Sequence, residues 1–261
     1  MNDLTSKKIG LVLSGGGVRG MAHIGVLRAL EEYGISANIV SGSSVGALVG
    51  ALYANGIAIQ DMLTFFKETP LFKYNFITIL KPGLVDTERY FDIFKDYFPE
   101  DSFDHLQREL HVVATNLQEG GEEFFHEGEL ILPLLASAAL PPVFSPVEIN
   151  NCLYADGGIM NNFPIEPLSG KVDYIIGSNV SVIKKVDKKA IGSSLQLANR
   201  TTALMIYAIN RQKIRQCDLV VEPLELESIG VLDKKGIEKA HTIGYESALK
   251  KLSTLQINRS T

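Results

Sequence analysis

The sequence predicts an α/β protein built on a mostly parallel central sheet, and two observations support that class. Short apolar, β-branched runs alternate with stretches whose apolar residues recur at helical spacing. Two of the run-to-helix junctions are also dense in glycine and serine. The chain of 261 residues is 46% hydrophobic and 21% charged, enough for one large core. No Gly/Ser/Pro-rich linker interrupts it, so a single domain over 1–261 is expected. Its core at about 9–180 carries the motifs, and a helix-strand-helix unit follows at about 190–255.

In order along the chain, the run Ile9-Gly10-Leu11-Val12-Leu13 reads as a buried strand. Ser14-Gly15-Gly16-Gly17-Val18-Arg19-Gly20 follows, and then a helix over 21–33 closed by Gly34. The loop fits G-x-G-x-x-G, but the second strand carries no acidic residue at its tip to hold a ribose, so a dinucleotide is not expected. Consecutive glycine amides beside a helix N-terminus instead form an anion-binding nest, which in acyl transfer is an oxyanion hole. Arg19 is placed to stabilise this loop or to meet an anionic substrate. His23 lies within the helix and is expected to be packed.

Ile39-Val40-Ser41 breaks into Gly42-Ser43-Ser44-Val45-Gly46 and enters a helix over 44–55 stopped by Gly56. This is G-x-S-x-G between strand and helix, the grammar of a nucleophile elbow centred on Ser44. The helix N-terminus behind it favours developing negative charge. Gly42 and Gly46 stand where side chains would collide with neighbouring elements.

A helix is expected around 59–66. The aromatic-rich stretch 65–80 that follows reads either as core packing or as an apolar flap over an acyl groove. An amphipathic helix over 87–97 has Thr87 as its cap. Residues 110–117 read as a strand, turned by Gly120-Gly121 toward a partner at 123–126. A helix over 130–140 stops at Pro141-Pro142. Two strand arms, 147–149 and 152–154, join through Asn150-Asn151 and end in Ala155-Asp156-Gly157-Gly158. An Asp-Gly at a strand end is by itself an ordinary turn. A buried strand at 172–177, a long helix over 193–216, a strand at 219–221 and a helix over 235–252 complete the chain. Lys184, Lys185, Lys188 and Lys189 read as a solvated loop.

Three features stand in order: Gly15-Gly16-Gly17-Val18-Arg19-Gly20, Gly42-Ser43-Ser44-Val45-Gly46 and Asp156-Gly157-Gly158. Together the chain resembles the patatin-like phospholipase family. Ala136-Ser137-Ala138-Ala139-Leu140-Pro141 and Asn162-Phe163-Pro164 match that family's habits as well. The resemblance implies a three-layer α/β/α sandwich and hydrolysis of lipid acyl esters through an acyl-enzyme, without metal or cofactor. It implies Ser44 as nucleophile, Asp156 as proton acceptor and the amides of Gly15, Gly16 and Gly17 as the oxyanion hole. Arg19, Gly20, Gly42, Gly46, Gly157 and Gly158 are the supporting motif positions.

The residues explain why such a site needs no imidazole. None of His23, His105, His111, His126 and His241 sits in a strand-end loop near a motif. A carboxylate could take the serine proton directly. An ordinary aspartate is a weak base at about 3.9, so Asp156 is expected to be desolvated. An acyltransferase on related architecture favours a histidine beside the nucleophile, where this chain has Ser43. A non-catalytic adaptor on the same fold would not need all three motifs.

The remaining expectations concern surroundings. The formal net charge of −5 argues against a nucleic-acid partner. Cys152 and Cys217 lie far apart without metal spacing and read as reduced thiols. No acidic loop has calcium-ligand spacing. Neither a leader nor an apolar run of about 18 residues is visible, so a cytoplasmic protein is expected, with peripheral lipid contact left open. The oligomeric state is not legible.

Overall fold

The computed structural model describes residues 4–69, 77–78 and 81–257. Its sheet runs in the order β5-β6-β3-β2-β1-β7-β8, with β4 pairing β3 off that path. The strands are β1 (Ile9–Leu13), β2 (Ile39–Ser43), β3 (Glu109–Asn116), β4 (Gly121–Phe125), β5 (Val147–Ile149), β6 (Cys152–Asp156), β7 (Tyr174–Ser178) and β8 (Leu219–Val221). Pairing is parallel from β3 through β2, β1 and β7 to β8, and antiparallel where β4, β6 and β5 join. The expected mostly parallel sheet is therefore found, with an antiparallel wing.

β1 and β2 are buried along their whole length, which is why their residues are apolar or small on both faces. Alternate side chains serve two cores. Leu11, Leu13, Val40 and Ile176 face the larger one; Val12 and Ile39 meet Phe163, Ile165 and Leu168 on the other. The larger face is covered by α1 (Met21–Glu32), α2 (Val45–Ala54), α3 (Ile59–Glu68), α4 (Phe91–Lys95), α5 (Ile131–Ser137) and α7 (Ile237–Ile257). The smaller face carries the 163–168 turn and the end of α6 (Ser194–Ile214), whose Ile214 packs there.

The strand and helix order matches the expectation, with two differences in helix extent. The helix expected over 87–97 is a 3₁₀ turn, Thr87–Tyr90, followed by the short α4. Thr87 caps nothing: its Oγ1 bonds the Ser145 carbonyl, tying this turn to the strand arms. The helix expected over 130–140 ends at Ser137. In the aromatic stretch, Phe65 and Phe66 are core residues, stacked edge to face. Most of the rest, residues 70–76 and 79–80, lies outside the described residues.

β3 sets the register on which the site depends. β4 pairs Val112 through Asn116 of β3 and so occupies one edge. β2 pairs Glu109 through Val113, and β6 pairs Ala114 through Asn116, so both take the opposite edge. Running in opposite directions along it, β2 ends at Ser43 beside Val113 and β6 ends at Asp156 beside Ala114. Two strand ends distant in sequence thus abut.

Candidate active site

Ser44 is the residue after β2, and its backbone is at φ 54°, ψ −128°. A non-glycine residue is rarely held there, and the strain lifts its side chain clear of the turn. Its neighbours hold it in place. The Ser44 amide donates to Ser137 Oγ at 2.9 Å, and the Ser44 carbonyl accepts from the Ala47 and Leu48 amides in the first turn of α2. Gly46 is required because a methyl there would come within 2.6 Å of the Ser14 carbonyl oxygen, so α2 lies directly on the end of β1.

Ser44 Oγ donates to Asp156 Oδ2 at 2.6 Å across 112 residues of chain. The other carboxylate oxygen accepts from the Gly158 amide at 2.8 Å. The Asp156 backbone is held by its amide to the Ala139 carbonyl and by Thr115 Oγ1 to its own carbonyl. Asp156 is 4% exposed. Burial pushes its pKa up to about 6, against the hydrogen bonds from Ser44 and Gly158, which favour the carboxylate. At neutral pH it is ionised but far more basic than an aspartate in water. No histidine bonds either group among the described residues. Burial drops the pKa of His23 to about 4, so it is neutral. Its Nε2 lies 2.8 Å from the Ser14 carbonyl, which can only accept, and its Nδ1 therefore accepts from Ser178 Oγ at 2.7 Å.

That imidazole underpins the glycine loop from below. Ser14 Oγ accepts from the Val180 amide, and Ser181 Oγ donates to the Gly15 carbonyl at 2.8 Å. The Gly15 amide is itself donated to the Asn162 carbonyl at 3.1 Å. This corrects the expectation of three free glycine donors, because a hydrogen already bonded to a carbonyl cannot also serve an anion. The Gly16 and Gly17 amides have no acceptor among the described residues. Gly17, at φ 57°, also has no room for a methyl beside Val231. Gly15 faces the elbow closely: a Cβ on it would lie 3.2 Å from Ser44 Cβ. Arg19 turns away from the site, its Nε donating to the Ile229 carbonyl at 2.7 Å and its Nη2 to that of Glu227 at 3.3 Å. It clamps the 227–231 segment onto the loop rather than offering a free cation.

The other motif glycines are packing positions. A methyl on Gly20 would strike Val45, one on Gly42 the Gly46 carbonyl, and one on Gly157 Ser43 Oγ at 2.8 Å. One on Gly158 would press on Asp156 Oδ1 at 2.9 Å. Sequence reasoning assigned no role to Ser137, Asn162 or Ser181. Only the quoted Ala136-Ser137 and Asn162-Phe163 segments pointed near two of them. An apolar groove of about 470 Å³ is lined by Ile77, Leu84, Val85, Val143 and Leu232. Val143 lies four residues beyond the Ala139 that holds Asp156, and Leu232 follows the Val231 whose carbonyl accepts from Val18. No cluster of histidine, cysteine and acidic side chains could hold a metal among the described residues.

The fold and the site together define an α/β protein whose strand-to-helix serine is bonded directly to a buried carboxylate. Residues 11–169 match the model of the patatin-like phospholipase family, and the chain belongs to that family. An uncharacterised NTE family protein of Mycobacterium tuberculosis is 34% identical over 171 residues, which cover 64% of this chain and 47% of that protein. A lysophospholipase of Aspergillus fumigatus is 29% identical over 200 residues, covering 74% of this chain and 13% of its own length. The chain thus spans less than half the length of these curated relatives. Among solved structures, VipD from Legionella pneumophila superposes with a TM-score of 0.55 at 16% identity, covering 95% of this chain and 67% of that one. No helix of the described residues is long and apolar enough to cross a membrane.

Proposed function

We propose that the protein hydrolyses acyl esters of lipids through an acyl-serine intermediate, using Ser44 and Asp156 as a dyad. The observation that carries this reading is the 2.6 Å bond from Ser44 Oγ to a buried carboxylate whose pKa burial has raised to about 6. As Oγ attacks the ester carbonyl carbon, its proton passes to Asp156 Oδ2. The carbonyl oxygen becomes an oxyanion that accepts from the Gly16 and Gly17 amides, each such donor contributing about 3 kcal/mol. Collapse breaks the carbon–oxygen bond to the alcohol, which leaves with the proton from Asp156. Water then repeats the cycle on the acyl-serine, giving the fatty acid and restoring both groups.

The groove of Ile77, Leu84, Val85, Val143 and Leu232 offers the apolar contact an acyl chain requires. No cofactor enters the scheme, and a cytoplasmic protein meeting lipid at the membrane periphery fits it. A fluorophosphonate probe tests the nucleophile: labelling of the wild type that disappears in Ser44→Ala is expected, and an unlabelled wild type points to the adaptor reading. Fatty-acid release from a lipid panel should be lost in Asp156→Asn, whereas full activity there would require another base. Release of acid, rather than transfer to an added acceptor, separates hydrolase from acyltransferase.

A further inference from the structure

Helix α6 turns its apolar side outward. Leu197, Leu204, Met205 and Ile209 are exposed, Met205 by 67%, and so are Thr201 and Ala208. Positions 197, 201, 204, 205 and 208 recur at spacings of three and four, so they share one face of the helix. The opposite face is fastened to the body. Arg200 bonds the Glu227 carboxylate at 3.0 Å and the Lys184 carbonyl at 2.6 Å, Lys213 pairs with Glu166, and Asn210 is buried. These anchors prevent the helix from rolling its apolar face inward.

The same segment concentrates positive charge. Between 184 and 215 eight cationic side chains stand against Asp187 alone, in a chain whose formal net charge is −5. Glu227 and Glu166 neutralise Arg200 and Lys213. Lys184, Lys185, Lys188, Lys189, Arg211 and Arg215 have no acidic partner among the described residues. Cations therefore flank the apolar stripe at both ends of the helix.

We propose that α6 and the lysine loop before it form the surface by which the protein docks on an anionic phospholipid bilayer. The apolar face would lie at the acyl boundary of the leaflet with the flanking cations against its phosphates. Charge decides the occupant. A second copy meeting this face about a two-fold axis would set unneutralised cations against identical ones, which an anionic leaflet instead complements. The acidic remainder of the chain is repelled by such a leaflet, so the segregation also fixes orientation. Ser181, which donates to the Gly15 carbonyl, lies three residues before Lys184, placing the basic loop within about 10 Å of chain from the glycine turn. Glu227 links the two regions, taking Arg200 on its carboxylate and Arg19 on its carbonyl. Docking would thus bring the site to its lipid; the docking surface itself rests on charge and exposure, not on the hydrolytic reading.

The test is flotation of the Ser44→Ala protein, which cannot degrade the vesicles, with phosphatidylcholine vesicles lacking or containing phosphatidylglycerol. Retention is expected only on the anionic vesicles, falling about tenfold as salt shortens the screening length. Two variants should each lose at least about tenfold while keeping the wild-type circular dichroism: Leu204→Glu with Met205→Glu, and Lys184→Glu with Lys185→Glu and Lys188→Glu. Absence of retention on anionic vesicles, or retention that both variants keep, overturns the proposal. So does a dimer in light scattering that Met205→Glu dissociates while vesicles are ignored. Hydrolysis of a soluble short-chain ester by the wild type is read alongside. Docking without hydrolysis removes the enzymatic reading alone, and hydrolysis without docking removes only the surface.

Discussion

At the carboxyl ends of β1 and β2 a single added methyl meets backbone, whereas along α6 a whole methionine side chain stands two-thirds in solvent. Both regions are α/β crossover segments, yet different constraints govern them. Around Ser44 the spacing is set by carbonyl and amide atoms that cannot repack, so glycine is dictated by geometry. On α6 packing dictates almost nothing about the outer residues, and their apolar character needs an explanation outside the folded chain. The contrast teaches that glycine marks the part of this molecule built for its own interior, and exposed leucine and methionine the part built for something else.

The sharpest way to break this comparison is Gly46→Ala. With Ser14 backbone oxygen 2.6 Å from the added carbon, a loss of about 3 kcal/mol or failure to fold is expected in thermal denaturation. Wild-type stability would show that the elbow can yield.

Asp156→Asn sharpens it by separating function from stability. If Asp156 takes the serine proton as proposed, activity should fall roughly a thousandfold. Stability should move the other way. The folded-state pKa of about 6 lies above the ordinary 3.8, so burial of the charged form opposes folding. That penalty is absent at low pH, grows as pH rises from about 4 to 6, and is fully present above. The amide avoids it while keeping a donor to Ser44 and an acceptor for Gly158, so it should gain up to about 3 kcal/mol at pH 7 and nothing below pH 4, by denaturant titration at both values. The wild-type kcat/KM should rise about tenfold per pH unit below 6 and level off above, as the carboxylate becomes available.

The peripheral side is tested by gentler changes. Asn210 is buried on the inner face of α6 with neither amide atom bonded among the described residues. Asn210→Leu should therefore stabilise the protein by about 1 kcal/mol, read as a raised Tm. Met205→Glu should change stability by less than about 0.5 kcal/mol, since its side chain touches little of the fold. A large loss there would mean that α6 is core after all.

Much of the centre was legible before any coordinates. The uninterrupted apolar run of β1 and the Gly42-Ser43-Ser44-Val45-Gly46 turn have local signatures, because strand burial and strained turns restrict residue type position by position, whereas Asp156-Gly157 reads alone as an ordinary turn and stood out only through the family resemblance. What could not be read is pairwise. That the Gly15 hydrogen goes to Asn162, or that Ser137 receives the Ser44 amide, depends on loops brought together by the sheet, and neither serine nor asparagine advertises its partner. The helical spacing of α6 was visible, but periodicity reports that a stripe exists and not whether the protein lies against it. The helix expected over 87–97 shortened because Thr87 bonds Ser145 instead of capping a turn.

Because β2 and β6 abut along one edge of β3, the distance between Ser44 and Asp156 is measured on a single strand rather than through the 112 residues that separate them in the chain. Whole subdomains could be spliced into the intervening loops without disturbing it. One residue inserted between Val113 and Ala114 would part the pair by about 3.3 Å and turn every following side chain of β3 to the wrong side. The fold can therefore acquire new appendages freely while the Ser44–Asp156 contact stays under the control of one strand's length.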